Sequence, residues 1–243
     1  MTKNRSILCG RTLVMAGVLS TLALLPLAAQ EAAPKDHAHD HSHDHAHDHG
    51  HSHTGTQTET PAGGRAAEIA KGYFADDEVK PRVLGDWEGE WQSVYPYLQD
   101  GTLDPVMAHK AAQGDKTAAE HRATYEAGYR TDTDRIVIAG DEVAFTTQGT
   151  TRRATYRSDG FEILTYAKGN RGVRFVFAKV AGDEGTPAFI QFSDHIIAPQ
   201  KAGHYHLYWG DDRAALLAEV EHWPTYYPAA MDGAQIREEM MAH

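Results

Sequence analysis

The sequence predicts an α+β protein built on an antiparallel β-barrel with flanking short helices. Three observations predict it. Residues 65 to about 130 carry helical patterning interrupted by Pro96, Gly101 and Pro105. From Asp134 onward, short apolar-alternating runs follow one another through tight turns, about seven in all, a spacing typical of barrels and sandwiches. Two helical stretches, "DDRAALLAEVEHW" and "GAQIREEMMAH", close the chain.

The first 29 residues are not part of that domain. "MTKNRSILCGRTLVMAGVLSTLALLPLAAQ" has a basic start (Lys3, Arg5, Arg11), an apolar run from about Thr12 to Leu27, and small residues at Ala28 and Ala29. That is the layout of a cleaved secretory signal, and the run is short for a spanning helix. Residues 30 to 64 are a second segment, polar and free of large apolar side chains. Such a composition cannot bury a core, so a disordered, His-rich tail and linker are expected there. The folded domain is expected over residues 65 to 243.

Within the domain, "RAAEIAKGYF" reads as a short amphipathic helix, and "DWEGEWQSVYPYLQDGTLDPVM" as helical pieces broken by turn residues. "DKTAAEHRATYEAGY" reads as a helix starting at a Thr117 N-cap, with Glu120 three residues later as in a capping box. "RIVIAGDEVAFTT" gives two strands around Gly-Asp. "ATYRSDGFEILTYAKGNRGVRFVFAKV" gives three, broken at Asp159-Gly160 and at "KGNRG". "PAFIQFSDHIIAPQKAGHYHLYW" gives two more around "PQKAG".

Charge and cysteine content narrow the chemistry. The chain has 34 acidic and 23 basic residues, a net charge of −11. Three of the basic residues and none of the acidic ones precede Gln30, so the part after the signal is more acidic still. That disfavours nucleic acid, which needs a basic footprint, and favours cations. Cys9 is the only cysteine and lies before the apolar run. A lipid-bearing cysteine would follow that run, and no thiolate remains for a metal. A metal site here must use His, Asp and Glu.

Histidine is placed in two arrangements. In "DHAHDHSHDHAHDHGHSH", His37, His39, His41, His43, His45, His47, His49, His51 and His53 alternate with small residues, and Asp36, Asp40, Asp44 and Asp48 recur every four positions. A flexible chain of neutral imidazoles captures zinc, copper or nickel without fixed geometry. The second arrangement is ordered. If the turn of the last hairpin is centred between Pro199 and Gln200, His195 faces His204 and His206 is its diagonal neighbour. Residues two apart on a strand share a face, and opposed Cβ atoms lie about 5 Å apart. Three imidazoles can then converge on one zinc, leaving a fourth position open. The opposite face of that hairpin is apolar (Ile190, Phe192, Ile196, Tyr205, Leu207, Trp209), with Asp194 as its one polar member. His109, His121, His222 and His243 read as ordinary surface or hydrogen-bonded histidines.

These residues resemble a known family. "DWEGEWQSVYPYLQDGTLDP", "FSDHIIAPQKAGHYHLYWG", "WPTYYP" and "EEMMAH" are similar to the ZinT (YodA) family of periplasmic zinc-binding proteins, across about residues 65 to 243. The resemblance implies a calycin-like, lipocalin-related barrel. It implies Zn(II), and also Cd(II), held by His195, His204 and His206. It implies a partner as well: the solute-binding subunit of a zinc ABC importer. Members of that family carry a cysteine pair tying two strands, and this chain has none after Cys9.

Two other function classes start from the same residues. A zinc with an open position could be a metalloenzyme centre that activates water, although no positioned base or nucleophile is legible. A barrel could also hold a small molecule in its cavity. The expectation is a binding protein and not an enzyme, located in the periplasm, with no membrane association after signal cleavage.

Overall fold

The computed structural model describes residues 62–242; the expected signal segment and all nine tail histidines lie outside the described residues. The chain enters through helix α1 (Ala62–Ala70) and two 3-10 turns (Asp76–Glu78 and Leu84–Trp87). Strand β1 (Gly89–Ser93) follows, then helices α2 (Tyr95–Gln99), α3 (Asp104–Ala112) and α4 (Ala118–Tyr129). Six consecutive strands come next: β2 (Thr133–Ala139), β3 (Glu142–Thr147), β4 (Thr150–Thr165), β5 (Arg171–Gly182), β6 (Phe189–Ser193) and β7 (Tyr205–Gly210). Helix α5 (Arg213–Ala218), strand β8 (Thr225–Pro228) and helix α6 (Gly233–Ala242) complete the domain. All eight strands pair antiparallel in chain order, and β8 returns to β1 to close the barrel. Closure leaves no sheet edge exposed.

The class expected from sequence is therefore the class observed, but the strand count differs in two places. The "EWQS" and "TYYP" segments form β1 and β8, the pair that closes the barrel. Each is five residues or fewer and is flanked by Pro or turn residues, too short for a period-2 pattern to emerge. Asp159-Gly160, read as a turn, is instead a bulge inside the single long strand β4. Register shifts there between Ser158 and Phe161, and Gly160 takes a φ of 87°. A glycine in the left-handed region serves a bulge as readily as a turn.

Alternation along the strands separates two cores. The inward residues fill the barrel around Trp87, which stacks on Phe192 at 4.6 Å and meets Phe175 and Phe177 at 5.7 and 5.9 Å. Tyr205 and Tyr226 stack beside them at 5.6 Å. The second core lies on the outer wall, where Val94 and Tyr227 meet Leu98, Val106, Met107, Tyr129, Ile236 and Met240 from α2, α3, α4 and α6. The expected capping box forms at α4: the Glu120 amide donates to Thr117 Oγ1 at 3.2 Å, and the Thr117 amide donates to Glu120 Oε2 at 2.8 Å.

Trp87 has no exposed surface and touches three other rings. Trp87→Ala is expected to cost about 3–5 kcal/mol through the cavity it leaves, read as a lowered midpoint in urea unfolding.

Candidate metal centre

The site grows out of β7 and the loop before it. Strand β6 pairs with β7 so that Ser193 faces His206 and Gln191 faces Tyr208. Continued, this register sets His195 against His204, as the sequence expects. The ladder itself, however, stops at Ser193 and resumes at Tyr205, so His195 and His204 belong to the loop and not to the strands. Only His206 owes its direction to strand alternation. It points outward from the barrel while its neighbours Tyr205 and Leu207 are buried in the barrel core.

His195 reaches the cluster by another route. Its φ is 63°, the left-handed region that costs a side-chain-bearing residue about 1–2 kcal/mol. The turn that holds it is built by Asp194. One carboxylate oxygen accepts the Ile196 amide at 3.2 Å, bridging over His195, and both accept from Arg82 Nη1 at 2.7 and 2.8 Å. Neither side chain of the pair has exposed surface. Burial pushes the Asp194 carboxyl up, and Arg82 opposes that push. Arg82 spends its other donors on Asp86 at 3.0 Å and on the Gln200 carbonyl at 2.6 Å, and its guanidinium lies 3.9 Å over the Trp87 ring. The segment before the barrel thus clamps both ends of the loop that carries His195. The one polar residue on the apolar face of the hairpin was the sequence signal for this clamp; nothing in the sequence pointed to Arg82.

The three imidazoles come together. Ring centroids are 6.0 Å apart for His195 and His204, 5.6 Å for His195 and His206, and 6.1 Å for His204 and His206. One nitrogen from each lies within 4.8 Å of the others. A tetrahedral zinc at about 2.0–2.1 Å from each donor needs separations of roughly 3.3 Å, a closure that small side-chain rotations supply. His195 is exposed, while His204 and His206 are half-buried. The donor set is three neutral nitrogens, which suits zinc.

The outer-wall residues orient those rings. Thr225 Oγ1 lies 2.7 Å from His206 Nδ1 and donates its own hydrogen to the Trp223 carbonyl at 3.0 Å. The hydroxyl has one proton and has spent it, so His206 Nδ1 must be the donor in this contact. That fixes the tautomer and leaves the Nε2 lone pair for a metal. Burial, with His195, His204 and Arg174 nearby, pushes the His206 pKa well below the ordinary histidine range, which keeps that lone pair free of a proton. Tyr227 stacks on His204 at 5.0 Å and 15°, and Trp223 meets His206 edge-on at 6.0 Å. Thr225, Trp223 and Tyr227 all come from "WPTYYP", a motif singled out in the sequence without a role for its side chains.

The other histidines stay out of the cluster. His109 Nε2 on α3 lies 2.9 Å from Nε2 of Gln113, the residue just after that helix, and His222 Nε2 donates to the Arg130 carbonyl at 2.6 Å. His121 Nε2 is buried with no hydrogen-bond partner among the described residues. His243 lies outside the described residues.

Comparison with known proteins identifies the family. Residues 65–243 match the family described as ZinT (YodA) periplasmic lipocalin-like zinc-recruitment. The probable metal-binding protein YrpE of Bacillus subtilis is 59% identical over 177 residues, covering 72% of this chain and 70% of YrpE. The zinc-binding protein AdcA of Streptococcus pyogenes serotype M1 is 52% identical over 180 residues, again 72% of this chain but 35% of AdcA. This chain therefore spans about a third of that relative. The crystal structure of the Zn(II)-bound ZinT-like domain of Streptococcus pneumoniae AdcA superposes with a TM-score of 0.69 at 46% identity, covering 71% of this chain and 97% of that domain.

Two outcomes are expected from the supporting residues. Thr225→Val keeps the strand shape but removes the acceptor for His206 Nδ1–H; zinc affinity, read by competition with a chromophoric chelator, should fall about 10–100-fold. Arg82→Met strands a buried carboxylate, and thermal unfolding should register a loss of about 3–5 kcal/mol.

Proposed function

The chain belongs to the ZinT (YodA) family, and on that premise we propose that it is an exported zinc-binding protein of the periplasm. It captures Zn(II) and supports zinc uptake by passing the ion to the solute-binding subunit of a zinc ABC importer. The observation that carries this reading is the convergence of His195, His204 and His206, with Thr225 committing His206 Nε2 to an ion. Cd(II), also a cation served by imidazole ligands, occupies the same three nitrogens in this reading.

Three features support transfer over storage. Three ligands leave a position open, through which a competing ligand can enter. His195 is exposed, so one ligand is within reach of a docked partner. Zn(II)-bound AdcA of Streptococcus pneumoniae matches this chain over 38% of its solved chain, a precedent for such a domain operating beside further sequence in a zinc-binding protein. Export rests on the signal-like layout of residues 1–29. The tail histidines, His37 to His53, act as a collecting arm: tethered to the domain, they raise the local metal concentration at the ordered site.

We read the protein as a binding protein and not an enzyme. The described lining of the cleft includes no Asp or Glu to serve as a general base, and the Asp194 carboxylate beside His195 is buried against Arg82. Zinc-loaded protein should then hydrate CO2 and cleave activated esters no faster than free zinc.

The central test is a zinc titration near neutral pH of the wild type and of the His195→Ala/His204→Ala/His206→Ala variant. The tightest site should disappear while the weaker tail binding stays. A variant that keeps its tightest site would overturn the assignment.

A further inference from the structure

The cleft around the histidines is about 990 Å³, far more than one ion fills. Its lining runs against the composition of the chain. Acidic residues outnumber basic ones 34 to 23, yet the described lining includes Lys71, Lys110, Lys168 and Arg174 and no Asp or Glu. The three lysines follow α1, lie on α3 and occupy the β4–β5 turn, so the charge is not one local run. For a protein that takes up a cation, this is an inverted field.

Arg174 sharpens the point. It is 1% exposed and lies 3.2 Å over the centre of the Tyr208 ring. Its terminal nitrogens donate to the Glu219 carbonyl at 2.9 Å and the Leu216 carbonyl at 3.5 Å, and its Nε–H has no partner among the described residues. Among the described residues no carboxylate pairs with it. The Glu219 carboxylate is turned to the Glu221 and His222 amides at 2.7 and 3.0 Å. A zinc on three neutral imidazoles would add two further positive charges. A buried cation without a counter-charge is costly, so the loaded site calls for an anion. The walls are aromatic, with Tyr125, Tyr166 and Tyr208, which suits an organic anion over a bare inorganic one.

We propose that the cleft binds a carboxylate-bearing co-ligand together with the metal. One carboxylate oxygen takes the open position on the ion, and the rest of the molecule lies among the tyrosines within the field of Lys110 and Lys168. This rests on the histidine triad being the metal site. The co-ligand is a free small carboxylate, which the open cleft admits.

The test uses the full chain loaded with Co(II), whose visible bands report the fourth ligand. Succinate should shift those bands to saturation. The Lys110→Ala/Lys168→Ala variant should keep its cobalt and melting temperature but need about fivefold more succinate for half-saturation, the loss expected from two solvent-screened charges. No shift with succinate, an unchanged half-saturation, or an equal shift with chloride at matched ionic strength overturns the proposal. Absence of any cobalt band removes the histidine site itself, and this proposal with it.

Discussion

The buried pair between Arg82 and Asp194 is the constraint on which the metal centre depends. Asp194 does two things with one carboxylate. It closes the turn that holds His195 at a positive φ, and it anchors that turn to a guanidinium that is itself fixed by Asp86, the Gln200 carbonyl and the Trp87 ring. A buried ion pair is a poor source of net stability, because desolvation cancels much of the attraction. Its value here is geometric. A loop residue in an unfavoured backbone conformation stays there only when its surroundings over-determine it, and the clamp supplies that over-determination.

The second organising feature is the two-faced barrel wall. On β7, Tyr205 and Leu207 pack inward while His206 and Tyr208 point outward. On β8, Tyr226 belongs to the barrel core and Tyr227 to the outer one. The usual lipocalin-like arrangement would offer the barrel interior to a ligand. Here the interior is filled by Trp87, Phe175, Phe177, Phe192 and Tyr205, so chemistry moves to the outside of the wall, under the helices. The helical layer therefore does more than cover apolar surface: with Trp223 and Tyr227 it builds the enclosure that keeps His206 neutral and oriented.

Much of the site was legible because metal ligation imposes a strong local pattern. Three histidines spaced about one turn are conspicuous, and their register could be counted from Pro199 and Gln200. What could not be counted was that the ladder ends before His195 and His204. Hairpin arithmetic assumes extended backbone, and the left-handed His195 breaks that assumption without disturbing the final convergence. Thr225 illustrates the opposite case. It lies 19 residues from its partner His206, in a strand of four residues, and a single threonine carries no pattern.

By itself, the sequence determined the α+β class, most of the strand succession, the capping of α4 and the identity of the three converging histidines, because each follows from local periodicity, turn chemistry or ligand spacing. Only the tertiary structure decided the closure of the barrel by β1 and β8, the Arg82–Asp194 clamp across 112 positions, the tautomer of His206, and the gathering of Lys71, Lys110 and Lys168 around the cleft. These share one physical cause. Each depends on groups brought together by folding from distant parts of the chain, where neither hydrophobic period nor motif spacing extends.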